Sequence, residues 1–362
     1  MSKIELSLAS DYVPSWTIVD AIRELFQNAL DQEVQAPDNT ASWTYCNGTL
    51  RICNKHSVLT TKTLLLGTSS KGSDSNTIGQ YGEGYKIATL VLLRNAKQIT
   101  IYNYGAREVW KPRFVKSRRF GTDILTFFID KEYPWKQVPG NDLTIEVTGL
   151  TDEEWFKQIV PSNLHLQSDV KIEESNEFGE ALGSPEHAGL VFVNGLYVCK
   201  YDPYTFGYNF KPGNLRLDRD RKLASDFDLR WVASKFWINS PRAIDFIEQG
   251  LADVSYISDM SWYGSSADTF RKAFDRFRLV HGLRAIPVTT QEEADKVPHG
   301  YKPVIVSSNY KNIIVRSTAY VEPEDDTVDP LDKLQQWFDL VDHKLTGDES
   351  EQFKEIMEEL RI

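Results

Sequence analysis

Cysteine is scarce. Cys46, Cys53 and Cys199 are odd in number and lack a CxxC pair, which excludes a disulfide framework or a zinc site built on such pairs. They are expected to be small buried apolar side chains. No apolar run approaches the roughly 18 residues that a membrane-spanning helix needs, and the opening stretch MSKIELSLASDYVPSW has no apolar core of signal-peptide type. The cytoplasm is therefore the expected location, with no membrane partner. Positive charge is also short: 41 Lys and Arg against 52 Asp and Glu leave a formal charge of −11, which disfavours coating nucleic acid by bulk electrostatics. One local basic run holds Lys111, Arg113, Lys116, Arg118 and Arg119, and it reads as a strand pair with charged edges. No internal repeat is present.

What the chain does have is length and apolar content. Its 362 residues are 41% hydrophobic and 12% aromatic, enough for at least two packed domains. A helix at 21–32 is followed by a strand at 49–53, a Thr/Ser/Gly loop at 67–80 and a helix starting near Gly84. From Gln98 to Val147 the pattern alternates as strands. Thr151 and Glu154 form a capping box opening the helix DEEWFKQIV, and Pro161 stops it. Residues 166–188 are polar and acidic and read as a loop or linker. A hairpin around Asn194-Gly195 follows, then helices capped by Ser225 and Ser240. AIPV, QEEADKV, KPVIVSS and NYKNIIV read as a small α/β element. Two helical patterns close the chain, on Leu331, Leu334, Phe338 and Val341, then Phe353, Ile356, Met357 and Leu360.

The stretch AIRELFQNALDQ carries the first chemical signal. At about 100° per residue, Glu24, Asn28 and Asp31 fall within roughly 60° of one another, while Ile18, Ile22, Leu25, Phe26 and Ala29 take the opposite side. Asp20 and Gln27 widen the polar stripe. Forty residues later, Gly79, Gly82 and Gly84 follow a GxxGxG spacing ahead of an apolar helix, where backbone N–H groups would face an anion. Thr68, Ser69, Ser70 and Lys71 add hydroxyls and a cation. Together these read as a divalent-cation and phosphate site. In it the Asn28 amide supplies a hard oxygen to Mg²⁺, Glu24 polarises a water toward the terminal phosphate, and Asp31 lies along the same wall.

Glu24-x-x-x-Asn28-x-x-Asp31, followed by GTSSK and IGQYGEGYK, resembles the GHKL (Bergerat-fold) ATPases, the superfamily of gyrase, the ninety-kilodalton heat-shock chaperone and sensor histidine kinases. In motif style it is similar to the microrchidia-type members. The resemblance implies an α+β fold: a Bergerat-type α/β sandwich over 1–160 with a mixed sheet under helices, and a transducer-like α/β domain over 161–265. A small α/β subdomain at 266–320 and an acidic linker with C-terminal helices at 321–362 complete the expectation. It implies ATP and Mg²⁺ as ligands, Glu24 as general base, Asn28 as metal ligand, and Gly79, Gln80, Tyr81, Gly82, Glu83, Gly84, Tyr85 and Lys86 as the cover over the phosphates. Lys71 and Lys86 become candidates for phosphate contact.

The family's adenine element, Asp-x-Gly-x-Gly, falls on Asn54-Lys55-His56-Ser57-Val58, so an amide replaces the acid and both glycines are missing. Thr144 is the nearest counterpart of the family's later Thr. Arg219 or Arg221 is the candidate for a basic residue returned to the γ-phosphate by the second domain. A histidine kinase is not expected, because no phospho-accepting His stands ahead of the motif. The resemblance further implies a homodimer formed on ATP binding and a nucleic-acid or protein client. Two other readings stand beside hydrolysis: a nucleotide-gated binding module that does not cut ATP, and a structural protein with a degenerate site.

Overall fold

Alternation of Ile4, Leu6 and Leu8 makes the first residues a strand, β1 (Ser2–Ala9). The computed structural model describes residues 2–65, 84–119, 121–131, 142–217, 225–260, 266–323 and 330–360. Helix α1 (Ile18–Gln35) starts in a capping box in which the Thr17 hydroxyl accepts from the Asp20 N–H and Asp20 Oδ2 accepts from the Thr17 N–H at 2.8 Å. A hairpin joins β2 (Ala41–Cys46) to β3 (Thr49–Asn54) through Asn47 and Gly48, at φ +48° and +72°. That backbone suits a two-residue turn with Asn then Gly. Helix α2 (Gly84–Arg94) and strands β4 (Gln98–Asn103), β5 (Glu108–Lys116), β6 (Asp123–Asp130) and β7 (Leu143–Thr148) follow.

These strands form one seven-stranded sheet in the order β1-β6-β5-β4-β7-β3-β2. Every pairing in it is antiparallel, where a mixed sheet was expected. The register aligns Ile52, Ile145, Ile101, Trp110 and Ile129 in a row across five strands, all buried in the same core as the apolar side of α1 and α2. Arg94, at the end of α2, fastens the chain that leads into α1. Its guanidinium donates to the carbonyls of Tyr12 at 3.0 Å, Val13 at 3.2 Å and Trp16 at 3.0 Å. No described helix is long and apolar enough to cross a membrane.

The expected capping box at Thr151 and Glu154 is present, but the helix it opens is only α3 (Asp152–Glu154), which widens at once into a π-type turn over Trp155–Ile159. Residues 166–188 do not form a loop. They hold a hairpin, β8 (Ile172–Asn176) and β9 (Gly179–Leu182), in a second sheet with β10 (Leu190–Val193), β11 (Leu196–Lys200) and β12 (Gly207–Phe210). Its order is β11-β10-β12-β9-β8, with β10 and β12 parallel. β8 is an edge strand whose residues are half-buried or exposed, so it lacks the apolar alternation that marks a strand in sequence. Helix α4 (Asp226–Trp237) opens with Ser225 Oγ accepting from the Phe227 N–H. Of the cysteines, Cys46 is exposed and Cys53 and Cys199 are half-buried, contrary to the expectation of buried thiols.

The chain divides into two compact units, 1–236 and 237–362. In the second, α5 (Ala243–Glu248) and α6 (Ser266–His281) precede β13 (Ala285–Val288), α7 (Gln291–Ala294), β14 (Lys302–Ile305) and α8 (Ser308–Val315). β13 and β14 pair in parallel, as a strand-helix-strand unit requires. Helices α9 (Pro330–Val341) and α10 (Gly347–Leu360) carry Phe338 and Phe353, whose rings stack at 4.0 Å.

Glu293 on α7 fastens this small unit. Its Oε2 accepts from the Lys311 ammonium at 2.9 Å, the Thr289 N–H at 2.6 Å and the Thr289 hydroxyl at 2.9 Å. Lys311 first, then the two Thr289 donors, pull the Glu293 carboxyl down from 4.5 to about 2. A depressed carboxyl stabilises the fold above its unfolded value and loses that effect as pH falls toward its folded one. Glu293→Gln should therefore lower the melting temperature of the full chain at pH 6, and the gap to wild type should close between pH 4.5 and about 2 in thermal melts. A gap that stays constant with pH would remove this assignment.

Candidate functional site

The polar stripe of α1 is not a solvated face. Glu24 is 2% exposed, Gln27 1% and Asp31 0%, while Ile22, Leu25, Phe26 and Ala29 are buried on the sheet side. The middle of the helix, 21–27 and 29–31, is thus buried, and burying carboxylates and amides on that scale demands specific partners. One partner surface is visible at the start of α2. A Cβ added to Gly84 would run into Glu24 Oε2 and would lie 3.5 Å from Asn28 Nδ2. The backbone φ of Gly84 lies outside the left-handed region, so what favours glycine there is the space the Glu24 carboxylate takes, which a side chain at 84 would have to push aside. Asn28 is half-buried and spends Nδ2 on the Glu24 carbonyl at 2.7 Å, which turns Oδ1 the other way. That leaves Oδ1 as the group's hard oxygen, one helical turn on from Glu24.

Asn54, at the end of β3, is 6% exposed and uses both amide hydrogens on main chain: Ala29 O at 2.9 Å and Asn39 O at 3.1 Å. An aspartate could not donate to either. The amide orientation is thereby fixed, and Oδ1 is its acceptor. The chain after Asn54 is held by Asn103, which accepts from the Leu59 N–H at 3.1 Å and donates to the Leu59 carbonyl at 2.7 Å. Lys86 is 0% exposed, and its ammonium donates to Thr63 O at 3.0 Å and Leu65 O at 2.6 Å. The Tyr85 hydroxyl lies 3.0 Å from the Thr63 hydroxyl, and burial raises its pKa well above the ordinary value, so it stays protonated.

The structure therefore brings Glu24, Asn28 and Gly84 together, with Asn54 bonded to the next turn of the same helix and Tyr85 and Lys86 in the first turn of α2. Asp31 is enclosed on the same side of α1. Thr144 is not part of this group. It pairs with Cys53 and Tyr102, one residue out of phase with Asn54, and stands on the other face of the sheet. Thr68, Ser69, Ser70, Lys71, Gly79, Gln80, Tyr81, Gly82 and Glu83 lie outside the described residues, as do Arg219 and Arg221. Arg23 and Asn103 belong to the neighbourhood and were not singled out from sequence. Arg23 sits inside the quoted helix, whereas the tie between Asn103 and Leu59 joins residues 44 apart and leaves no local signal.

Among the described residues no group of three or more His, Cys, Asp or Glu could hold a metal ion. The Asn28 oxygen and neighbouring carboxylate still suit Mg²⁺, which commonly takes one or two protein oxygens and completes its shell with water and phosphate. No family model matches the chain. A Mycoplasma pneumoniae protein described as uncharacterized is 25% identical over 236 residues, covering 62% of this chain and 92% of that relative.

Two substitutions test the geometry. Gly84→Ala should destabilise by about 1–3 kcal/mol in denaturant melts, and much less when Glu24 is already alanine, because the clash then has no partner. Equal costs in both backgrounds would show that Glu24 does not pack against residue 84. Asn54→Asp should cost roughly 2–4 kcal/mol, since two main-chain carbonyls lose their donor and face a carboxylate.

Proposed function

We propose that the chain is a Mg²⁺-dependent ATPase of the GHKL kind. The observation that carries this reading is the enclosed Glu24 carboxylate set against Gly84, with Asn28 one turn on and its NH₂ group tied back to the Glu24 carbonyl. The order of these residues along the chain matches the family motifs quoted above. Glu24 takes a proton from the attacking water as the water oxygen bonds to the terminal phosphorus and the bond to the ADP oxygen breaks. Asn28 would hold Mg²⁺, which when bound would supply charge neutralisation at the phosphate oxygens. The backbone at the start of α2 lies beside Glu24, where a helix N-terminus favours anionic oxygens. Asn54 Oδ1 offers an acceptor to an exocyclic amine of the base. ATP binding would draw two protomers or two domains together in the cytoplasm, and hydrolysis would release them from a nucleic-acid or protein client.

The test is Glu24→Ala. Phosphate release should fall at least ~100-fold, the loss expected of a missing general base, while ATP still binds in calorimetry. An unchanged rate would remove Glu24 from the chemistry. A protein that binds ATP tightly with no measurable turnover in either form would favour the nucleotide-gated binding module.

A further inference from the structure

Next to Glu24 on α1, Arg23 has its side chain more than nine-tenths buried, with 9% exposed. Its only ion pair among the described residues is a loose one, Nη1 to Asp20 Oδ1 at 3.6 Å. Asp20 is itself anchored, because its Oδ2 accepts from the Thr17 N–H and hydroxyl at 2.8 Å each. The two remaining positions, Nε and Nη2, are buried and have no hydrogen-bond partner among the described residues. They are the two atoms of one edge of the guanidinium plane. That edge offers two parallel N–H groups in the spacing that matches two oxygens of a phosphate or carboxylate. A buried guanidinium with its bidentate edge unfilled is costly, and each such group calls for an explanation.

We propose that this edge of Arg23 is a receptor for the terminal phosphate of the bound nucleotide. The inference rests on the ATPase reading given above. Three features favour a phosphate. The edge has two teeth, which a tetrahedral phosphoryl group can fill with two oxygens. The other end of the guanidinium is steered by a carboxylate already fixed in the helix cap, so the fork is preorganised. Finally, Arg23 lies three residues after Asp20 and four before Gln27, so it flanks the polar stripe that carries Glu24. Arg23 would then read whether the third phosphate is present and hold it while Glu24 works on the water. It is a binding residue whose effect appears as a preference for ATP over ADP.

The experiment compares binding of a non-hydrolysable ATP analogue and of ADP, each with Mg²⁺, by calorimetry on the full chain. Wild type, Arg23→Gln and Arg23→Lys are measured alongside their melting temperatures. In Arg23→Gln the affinity for the triphosphate should drop by ~10–100-fold while that for ADP holds, the scale expected for a lost bidentate charged contact. Arg23→Lys keeps the charge without the fork, should fold, and should lie between the two, so the proposal stays testable if Arg23→Gln is unstable. If both variants keep the wild-type ratio of the two affinities and only melt earlier, the fork serves a carboxylate of the chain itself and this inference is overturned while the ATPase reading stands. If wild type binds neither nucleotide, the ATPase reading and this inference fall together.

Discussion

Glu24 and Gly84 meet where the first helix passes the start of the second, and the arrangement of the candidate site follows from that one close approach. The carboxylate takes the space a side chain at 84 would fill, so opening α2 on glycine lets the two come this close. Because Glu24 is enclosed, its neighbours on the same wall are enclosed with it, and each needs a polar answer from the protein or from a ligand. Asn28 shows how narrow the solution is. Its NH₂ group is tied back to the Glu24 carbonyl one turn earlier, so only its oxygen can face outward.

The polar residues deeper in this unit share a different task. Asn54, Asn103 and Lys86 all bond to main-chain carbonyl or amide groups, at Ala29 in α1 and Asn39 in the loop after it, at Leu59, and at Thr63 and Leu65. Such groups cannot be left bare inside a protein. Where a motif comparison would assign Asn54 to base recognition and Lys86 to phosphate, the geometry gives both a bracing duty at the same time. For Asn54 the two duties agree, since fixing the NH₂ group is what makes its oxygen a dependable acceptor. For Lys86 they compete, because its ammonium already serves the carbonyls of Thr63 and Leu65.

How much of this could be read from the residues depended on distance along the chain. The spacing of Glu24, Asn28 and Asp31, the start of α2 at Gly84, the capping box at Thr151 and Glu154 and the Asn194-Gly195 turn are local features, and they were legible. The burial of the polar wall was not, because helical periodicity tells which residues share a side and not what covers it. The strand hairpin at 172–182 was hidden by its polar edge. β1 and β2 did carry readable alternation, in Ile4, Leu6 and Leu8 and in Ala41, Trp43 and Tyr45, and α6 placed Phe270, Phe274 and Phe277 at helical spacing. Thr144 failed for a register reason: a shift of one residue in a strand reverses the face, and only the pairing with Cys53 and Tyr102 shows which face it takes.

Arg94 gives α2 a second hold on its neighbour. At one end the helix abuts Glu24 through Gly84; at the other, one guanidinium gathers carbonyls from Tyr12 to Trp16 just ahead of α1. Gripped at both of its own ends, α2 cannot swing about either hold alone, and its position fixes the chain entering α1 together with that helix's first turns.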